Sequence, residues 1–206
     1  DAQALDDLAE QMILDAAAEH PNVAVVLKSG GGVDFRRWLR RVRSLLQAWY
    51  PGQEGGRAVA EILLGHCNPS GKLPCTIERQ EEDRWSHACY HDEDRDGRVH
   101  LADGLWSGYR QVDRFGPAPL FPFGFGLSYT TFGYRRLRLS PARPRPGQPV
   151  TVAFEVGNTG ERAGAEVVQL YVGDEESRLP RPVRELKGIR RVWRRPGQWK
   201  TVRFVI

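Results

Sequence analysis

Trp49-Tyr50-Pro51-Gly52-Gln53-Glu54-Gly55-Gly56 separates two runs of different character. Before it, Leu45-Leu46-Gln47-Ala48-Trp49 is a short apolar run. After it, Arg57-Ala58-Val59-Ala60-Glu61-Ile62-Leu63-Leu64 carries helical spacing and stops at Gly65, a residue suited to a left-handed cap. The order predicts a strand, a tight Gly-rich loop, and a helix that opens on exposed backbone N–H groups. Such a loop belongs at the carboxyl edge of a parallel sheet, where open α/β folds place their ligands. Taken alone, the stretch reads better as a compact structural turn than as a binding loop.

Working outward toward the N-terminus, Val23-Ala24-Val25-Val26-Leu27 has the short, β-branched, unbroken apolar character of a strand buried on both faces. Ser29-Gly30-Gly31-Gly32 follows it. Its spacing does not fit a dinucleotide fingerprint, and no Lys-Ser/Thr pair follows, so a tight turn is favoured over a phosphate cradle. Leu5, Leu8, Met12, Ile13, Ala16 and Ala17 share one helical face and end before Pro21-Asn22. Phe35, Trp38, Leu39, Val42, Leu45, Leu46 and Trp49 form a stripe that periodicity alone reads as one helix over 35–49. A strand must nevertheless feed the Pro51 loop, and short apolar runs are ambiguous. The strand is therefore placed at 45–49, beside 23–27 and joined to it by a right-handed crossover. Leu73-Pro74-Cys75-Thr76-Ile77 reads as a further strand, demoted by Pro74 to an edge.

Residues 78–104 are charged, with little apolar pattern, and form a long loop. His87, Cys89 and His91 alternate as possible zinc ligands, but the paired spacings of structural zinc sites are missing. Asp92, Asp94, Asp96, Gly97, Val99 and Asp103 fall at positions 1, 3, 5, 6, 8 and 12 of an EF-hand-like loop. The terminal Asp is a poorer ligand than Glu, and the flanks are not paired amphipathic helices. The aspartates stay a weak calcium candidate; no metal and no cofactor is expected.

Beyond Phe132 the period becomes two. Leu137/Leu139, Val150/Val152/Phe154/Val156, Val167–Val172 and Val202/Phe204/Ile206 alternate between Gly147, Asn158-Thr159-Gly160, Gly188 and Gly197. About five strands follow without a helix, fewer than the ~7 of a complete immunoglobulin-like sandwich.

The 206 residues suffice for one large or two small domains, with 40% hydrophobic and 27% charged residues. No run approaches the ~20 apolar residues that span a bilayer, and no secretory leader is visible. Three cysteines, Cys67, Cys75 and Cys89, give no even disulfide framework. The net charge of +4 comes mostly from arginine, clustered at 36–41, 135–138 and 190–195. No nucleic-acid-binding fold accompanies it, so neither nucleic acid nor membrane is an expected partner.

Pro51-Gly52-Gln53-Glu54-Gly55-Gly56, Asn68-Pro69-Ser70-Gly71-Lys72-Leu73-Pro74, Gly108-Tyr109-Arg110 and Pro119-Leu120-Phe121-Pro122-Phe123-Gly124-Phe125-Gly126-Leu127-Ser128-Tyr129-Thr130 occur in that order. Together they resemble the C-terminal half of family 3 glycoside hydrolases of the β-glucosidase type. Asn158-Thr159-Gly160, Glu166–Val172, Arg181–Gly188 and Pro196-Gly197 resemble the fibronectin type III-like domain that closes many members. The resemblance implies α/β plus all-β architecture. A partial three-layer α/β sandwich with a parallel sheet would cover 1–130, and an incomplete fibronectin type III-like β-sandwich 131–206, each cut at its outer end. It also implies a short helix to about Arg43 before the strand at 45–49, and a family-typical origin for Asp96-Gly97-Arg98-Val99.

Members similar to this chain are retaining exo-glycosidases acting on β-linked glucosides, with two carboxylates roughly 5 Å apart. The nucleophile is an Asp on an N-terminal (β/α)8 barrel. The acid/base is a Glu in a Gly-Glu-Gly-x-Asp-Arg type motif. Asp1, Leu5 and Gln11 align with the Asp and helix after that Glu, although Ala2 stands where Arg is expected. Both catalytic carboxylates would then lie outside the chain, which alone would be inactive. Carbohydrate would be met through the missing barrel, and the surface meant for it could drive self-association. Gln53 and Glu54 are the candidate cleft-rim residues, Glu54 more as a structural group facing the N–H groups of the next helix. The alternative is a non-catalytic carbohydrate-binding or scaffolding module.

Overall fold

The computed structural model describes residues 5–83, 97–98 and 104–206. The chain forms two compact units, Asp1–Leu64 with Cys75–Pro122 and Gly65–Pro74 with Phe123–Ile206. The calcium candidates Asp92, Asp94, Asp96 and Asp103, the zinc candidates His87, Cys89 and His91, and Asp1 lie outside the described residues.

The first unit opens with α1 (Asp7–Glu19). Asp6 caps it by accepting from the Ala9 amide at 2.6 Å, and Asp7 and Glu10 complement the helix dipole. The expected apolar face is corrected here. Leu8 and Met12 are 72% and 65% exposed, and the buried residue of the helix is Glu10. Its carboxylate pairs with Arg37 from the turn that packs on the helix. A buried carboxylate needs such a partner, and the partner fixes which face turns inward.

β1 (Ala24–Leu27) and β2 (Ser44–Gln47) pair in parallel, with Ala24 opposite Ser44 and Leu27 opposite Gln47. The strand expected before the Pro51 loop is thus present, and no helix runs over 35–49. The helix preceding it is only one 3₁₀ turn, Leu39–Arg41. Phe35 and Trp38 from that stripe are fully buried, ring centroids 5.3 Å apart, with Phe121 meeting Phe35 edge-on at 5.9 Å. The Trp38 indole N–H donates to the Asp34 carbonyl at 3.2 Å, so the ring is buried without an orphaned donor. α2 (Gly55–Leu63) ends at Gly65, whose φ of +74° is the expected left-handed cap.

The edge strand expected at 73–77 does not form. In this unit Ile77 makes a single antiparallel bridge to Phe121. Pro74 has no N–H to continue a ladder. A short helix that the sequence reading missed, α3 (Tyr109–Phe115), follows Gly108, whose φ of +59° turns the chain into it.

The second unit is a five-stranded antiparallel sandwich. β3 (Phe132–Ser140), β4 (Thr151–Asn158) and β7 (Trp199–Val205) form one sheet in the order β3-β4-β7; β5 (Gly164–Val172) and β6 (Glu185–Arg194) form the other. Alternate residues of β4 and β7 point inward, so Val152, Phe154, Val156, Val202 and Phe204 meet Val168 and Val192 in one core. Each such side chain contributes about 1.5–3 kcal/mol on burial. Gly188 is no strand boundary: it lies inside β6, where a Cβ would come within 2.5 Å of the Phe204 ring. Leu137 and Leu139 are exposed: Leu137 sits in the bulge between Arg135 and Arg138, and Leu139, opposite Val152, lies near the end of an edge strand.

The Asn68–Pro74 motif is built into this unit. The Asn68 side chain accepts from the Ser128 hydroxyl and the Tyr129 amide, both at 2.8 Å, and donates to the Ala163 carbonyl at 3.1 Å. Lys72 donates to the Gly126 carbonyl at 2.8 Å and stands 3.4 Å from Glu166. Tyr134 donates to the same carboxylate at 3.0 Å; burial, with that charge beside it, holds the phenol pKa above its usual value. Asn158, fully buried, accepts from Thr130 Oγ1 (2.8 Å) and the Gly160 amide (3.0 Å). It donates to the carbonyls of Arg162 (2.7 Å) and Arg194 (3.1 Å).

Candidate functional site

Because β1 and β2 are parallel, the loops that follow them leave from the same edge. The first runs through Lys28, Ser29 and Gly30-Gly31-Gly32, the second through Trp49–Glu54 into α2. Gln47, the last residue of β2, ties them: its amide donates to the Ser29 carbonyl and hydroxyl, each at 3.2 Å. Ser29 in turn donates to the Gly31 carbonyl at 2.7 Å. The Gln47 Oε1 is shielded from solvent and has no hydrogen-bond partner among the described residues. This residue was missed in the sequence, where its signal was a single amide ending an apolar strand at the carboxyl edge of the parallel pair.

Backbone geometry sets the second loop. Trp49 takes φ +52°, an uncommon conformation for a bulky residue, and so turns the chain out of the strand. Gly52, at φ +72°, accepts from the Gly55 amide at 3.2 Å. Gly55 is buried, and a Cβ there would lie 2.5 Å from the Pro51 ring. Gly30 packs as closely on Tyr50, where a Cβ would lie 2.8 Å from the phenol oxygen. Gly30 and Gly55 therefore answer first to packing, and Gly52 to its positive φ. Replacing Gly55 with Val should cost about 1–3 kcal/mol by overpacking against Pro51, read as a fall in Tm of the 206-residue chain. An unchanged Tm would show that the loop is looser than described.

The structure leaves Gln53 and Glu54 exposed in the second loop. Glu54 occupies the position before α2 but makes no capping hydrogen bond, so the expected contact with the helix N–H groups is not formed. Its backbone explains this: φ −87°, ψ 12° is not the extended conformation that aims a capping side chain at the helix. Near the other loop, Asp34 accepts from the Arg36 backbone amide at 2.9 Å and from its guanidinium Nε at 2.9 and 3.0 Å. That hydrogen bonding and charge hold its carboxyl below the usual carboxylate range. The interaction therefore stabilises the loop above the usual carboxylate pKa and is lost as pH falls through the lowered one.

Chemically, the second loop offers one amide, one carboxylate and the exposed phenol of Tyr50. Within 29–32 and 51–56 Glu54 is the one carboxylate, so these loops do not hold an acid/base pair. Among the described residues, no group of three His, Cys, Asp or Glu is placed to hold a metal ion.

Comparison with known proteins fits this architecture. The pattern of the glycosyl hydrolase family 3 C-terminal domain matches residues 1–129, and that of the fibronectin type III-like domain matches residues 166–206. A probable β-glucosidase I of Aspergillus flavus is 41% identical over 202 residues, covering 96% of this chain and 24% of its own length. A β-glucosidase of Rhizobium radiobacter is 42% identical over 192 residues, covering 91% and 23%. Among solved structures, β-glucosidase 3B from Thermotoga neapolitana in complex with glucose superimposes with a TM-score of 0.91 at 35% identity. It covers 98% of this chain and 29% of that one. The β-glucosidase from Kluyveromyces marxianus in complex with glucose gives 0.89 at 34%, covering 99% and 24%. The chain thus spans about a quarter of the relatives it matches. The family 3 C-terminal pattern covers more than half of the residues and the β-glucosidases align over nearly the whole chain, so the chain belongs to glycosyl hydrolase family 3.

Proposed function

We infer that the chain supplies the C-terminal portion of a retaining β-glucosidase and carries neither catalytic carboxylate. One observation carries this reading: the family's C-terminal-domain pattern spans residues 1–129, and β-glucosidases align over nearly the whole chain while extending about four times its length. On this reading the barrel brings the nucleophilic Asp. The acid/base Glu comes from the segment that precedes residue 1. The loops at 29–32 and 51–56 form part of the rim, with Gln53 and Glu54 bracing the sugar-binding cleft.

Retention needs two carboxylates on opposite sides of one glycosidic bond, about 5–5.5 Å apart. The rim loops hold one, exposed and unsupported. Their contribution is to shape the cleft wall and exclude water, which raises the worth of charges placed there by the other half. The test is complementation. Joined to the N-terminal portion of the Rhizobium radiobacter enzyme, including the residues that precede this alignment, the chain should give saturable hydrolysis of an aryl β-glucoside. A soluble, folded fusion without turnover would overturn the reading.

A further inference from the structure

The two units differ sharply in charge. Gly65–Pro74 with Phe123–Ile206 carries 17 Lys and Arg against 7 Asp and Glu, a net of +10, whereas the rest carries 13 against 19, a net of −6. Part of the excess is concentrated on the outer face of the β3-β4-β7 sheet, and a backbone device puts it there. Arg135 lies opposite Glu155, but Arg138 lies opposite Ala153, one residue out of register, and Arg136 sits in the bulge at φ +58°. In an unbroken ladder Arg138 would face Val152 and point into the core. The extra residue moves it to the outer face with Arg135. Arg203 on β7 also pairs with Ala153, so it flanks that alanine from the other side.

The array is partly held in place. The Arg135 guanidinium lies 3.7 Å from the centroid of the Trp199 ring and donates to Glu155 at 2.7 Å. Arg136 donates to the same carboxylate at 2.9 Å, and the two arginines remain 45% and 62% exposed. Those two guanidinium contacts hold the Glu155 carboxyl below its usual range, so the anion persists while the face stays positive. Arg138 and Arg203 are exposed and have no acidic partner among the described residues. Trp199 offers no free ring face there: Arg135 covers one side, and a Cβ on Gly157 would come within 2.2 Å of the ring.

We propose that this outer sheet face is a docking surface for an acidic polysaccharide whose carboxylates are taken by Arg135, Arg136, Arg138 and Arg203. Guanidinium forks match planar carboxylates, and fixing them in advance lowers the entropy lost on binding. A flat face without a protruding helix or ribbon does not enter a nucleic-acid groove, and the covered Trp199 ring cannot stack a base. The choice of a glycan over other polyanions rests on the carbohydrate reading above. Binding needs no turnover, so it can fail while the enzyme reading stands, and the reverse.

The experiment is affinity electrophoresis of the 206-residue chain in gels containing polygalacturonate, uncharged dextran or duplex DNA, with phosphatidylserine vesicle flotation beside it. Retardation by polygalacturonate alone, abolished in about 500 mM salt, is expected. The Arg138→Ser/Arg203→Ser variant should bind about 30-fold more weakly. Arg178→Ser/Arg181→Ser, which removes the same charge from the loop between β5 and β6, should change affinity by less than about threefold. Far-ultraviolet circular dichroism would verify that both variants fold. No retardation, equal loss in the two variants, or equal or stronger binding to DNA or vesicles would overturn the proposal.

Discussion

Incubated alone with an aryl β-glucoside, the 206-residue chain should release aglycone no faster than buffer. Glycoside cleavage through an oxocarbenium-like transition state requires a proton donor and a nucleophile held on either side of one bond. Removing one member of such a pair typically costs about 10⁴-fold or more, and here both would be supplied from elsewhere. The second loop offers Glu54, exposed and making no capping hydrogen bond, and no described residue holds it to the fraction of an ångström that catalysis demands. Progress curves at micromolar protein decide the matter. Saturable hydrolysis that disappears with Glu54→Gln would place the chemistry inside this chain.

The largest stability effect from a single side chain is expected at Asn158. Its amide is completely buried and meets four partners, from the segment just before β3, from the loop between β4 and β5, and from the end of β6. Asn158→Ala removes all four and leaves the two carbonyls and the Thr130 hydroxyl without that partner. Each stranded buried group costs about 1–3 kcal/mol, so the loss should reach about 3 kcal/mol even with partial relaxation. Asn158→Asp should be comparably harmful, since it replaces the double donor to Arg162 and Arg194 with a second acceptor. Urea unfolding followed by tryptophan fluorescence reads the change as a shift in midpoint. A midpoint unchanged in both variants would show that the corner is held by packing instead.

How much of this was legible in the sequence depended on how local the cause was. The turn at 49–56, the Gly65 cap and the alternating residues of β4 and β7 could be read directly, because each follows from a residue's own conformational or burial preference. The helix α3 could not: it spans seven residues, starts after a glycine rather than a capping side chain, and carries aromatic and charged residues without a clear stripe. The inward face of α1 was set by Glu10 meeting Arg37, 27 residues away, a contact that periodicity does not encode. Alternation made Leu137 and Leu139 look like core residues, but Leu137 falls in the bulge of β3 and Leu139 lies near the end of that edge strand, so both stay exposed. At the candidate site, the rim loops were legible from their glycines. Gln47 was not, because its role is to join two loops 18 residues apart. The motif from Asn68 to Pro74 was recognisable as a pattern, but its physical work is structural. Asn68 and Lys72 are bound to 124–130 and the sandwich strands.

On the proposed reading this chain walls the cleft while the covalent chemistry belongs to the barrel. The decisive measurement is to treat the complemented fusion with a mechanism-based 2-deoxy-2-fluoroglucoside and map the adduct by peptide mass spectrometry. A retaining enzyme traps the inactivator on its nucleophile. One adduct is expected, on an Asp of the barrel, with every peptide from these 206 residues unmodified. An adduct on Glu54, or on any other Asp or Glu of this chain, would contradict it.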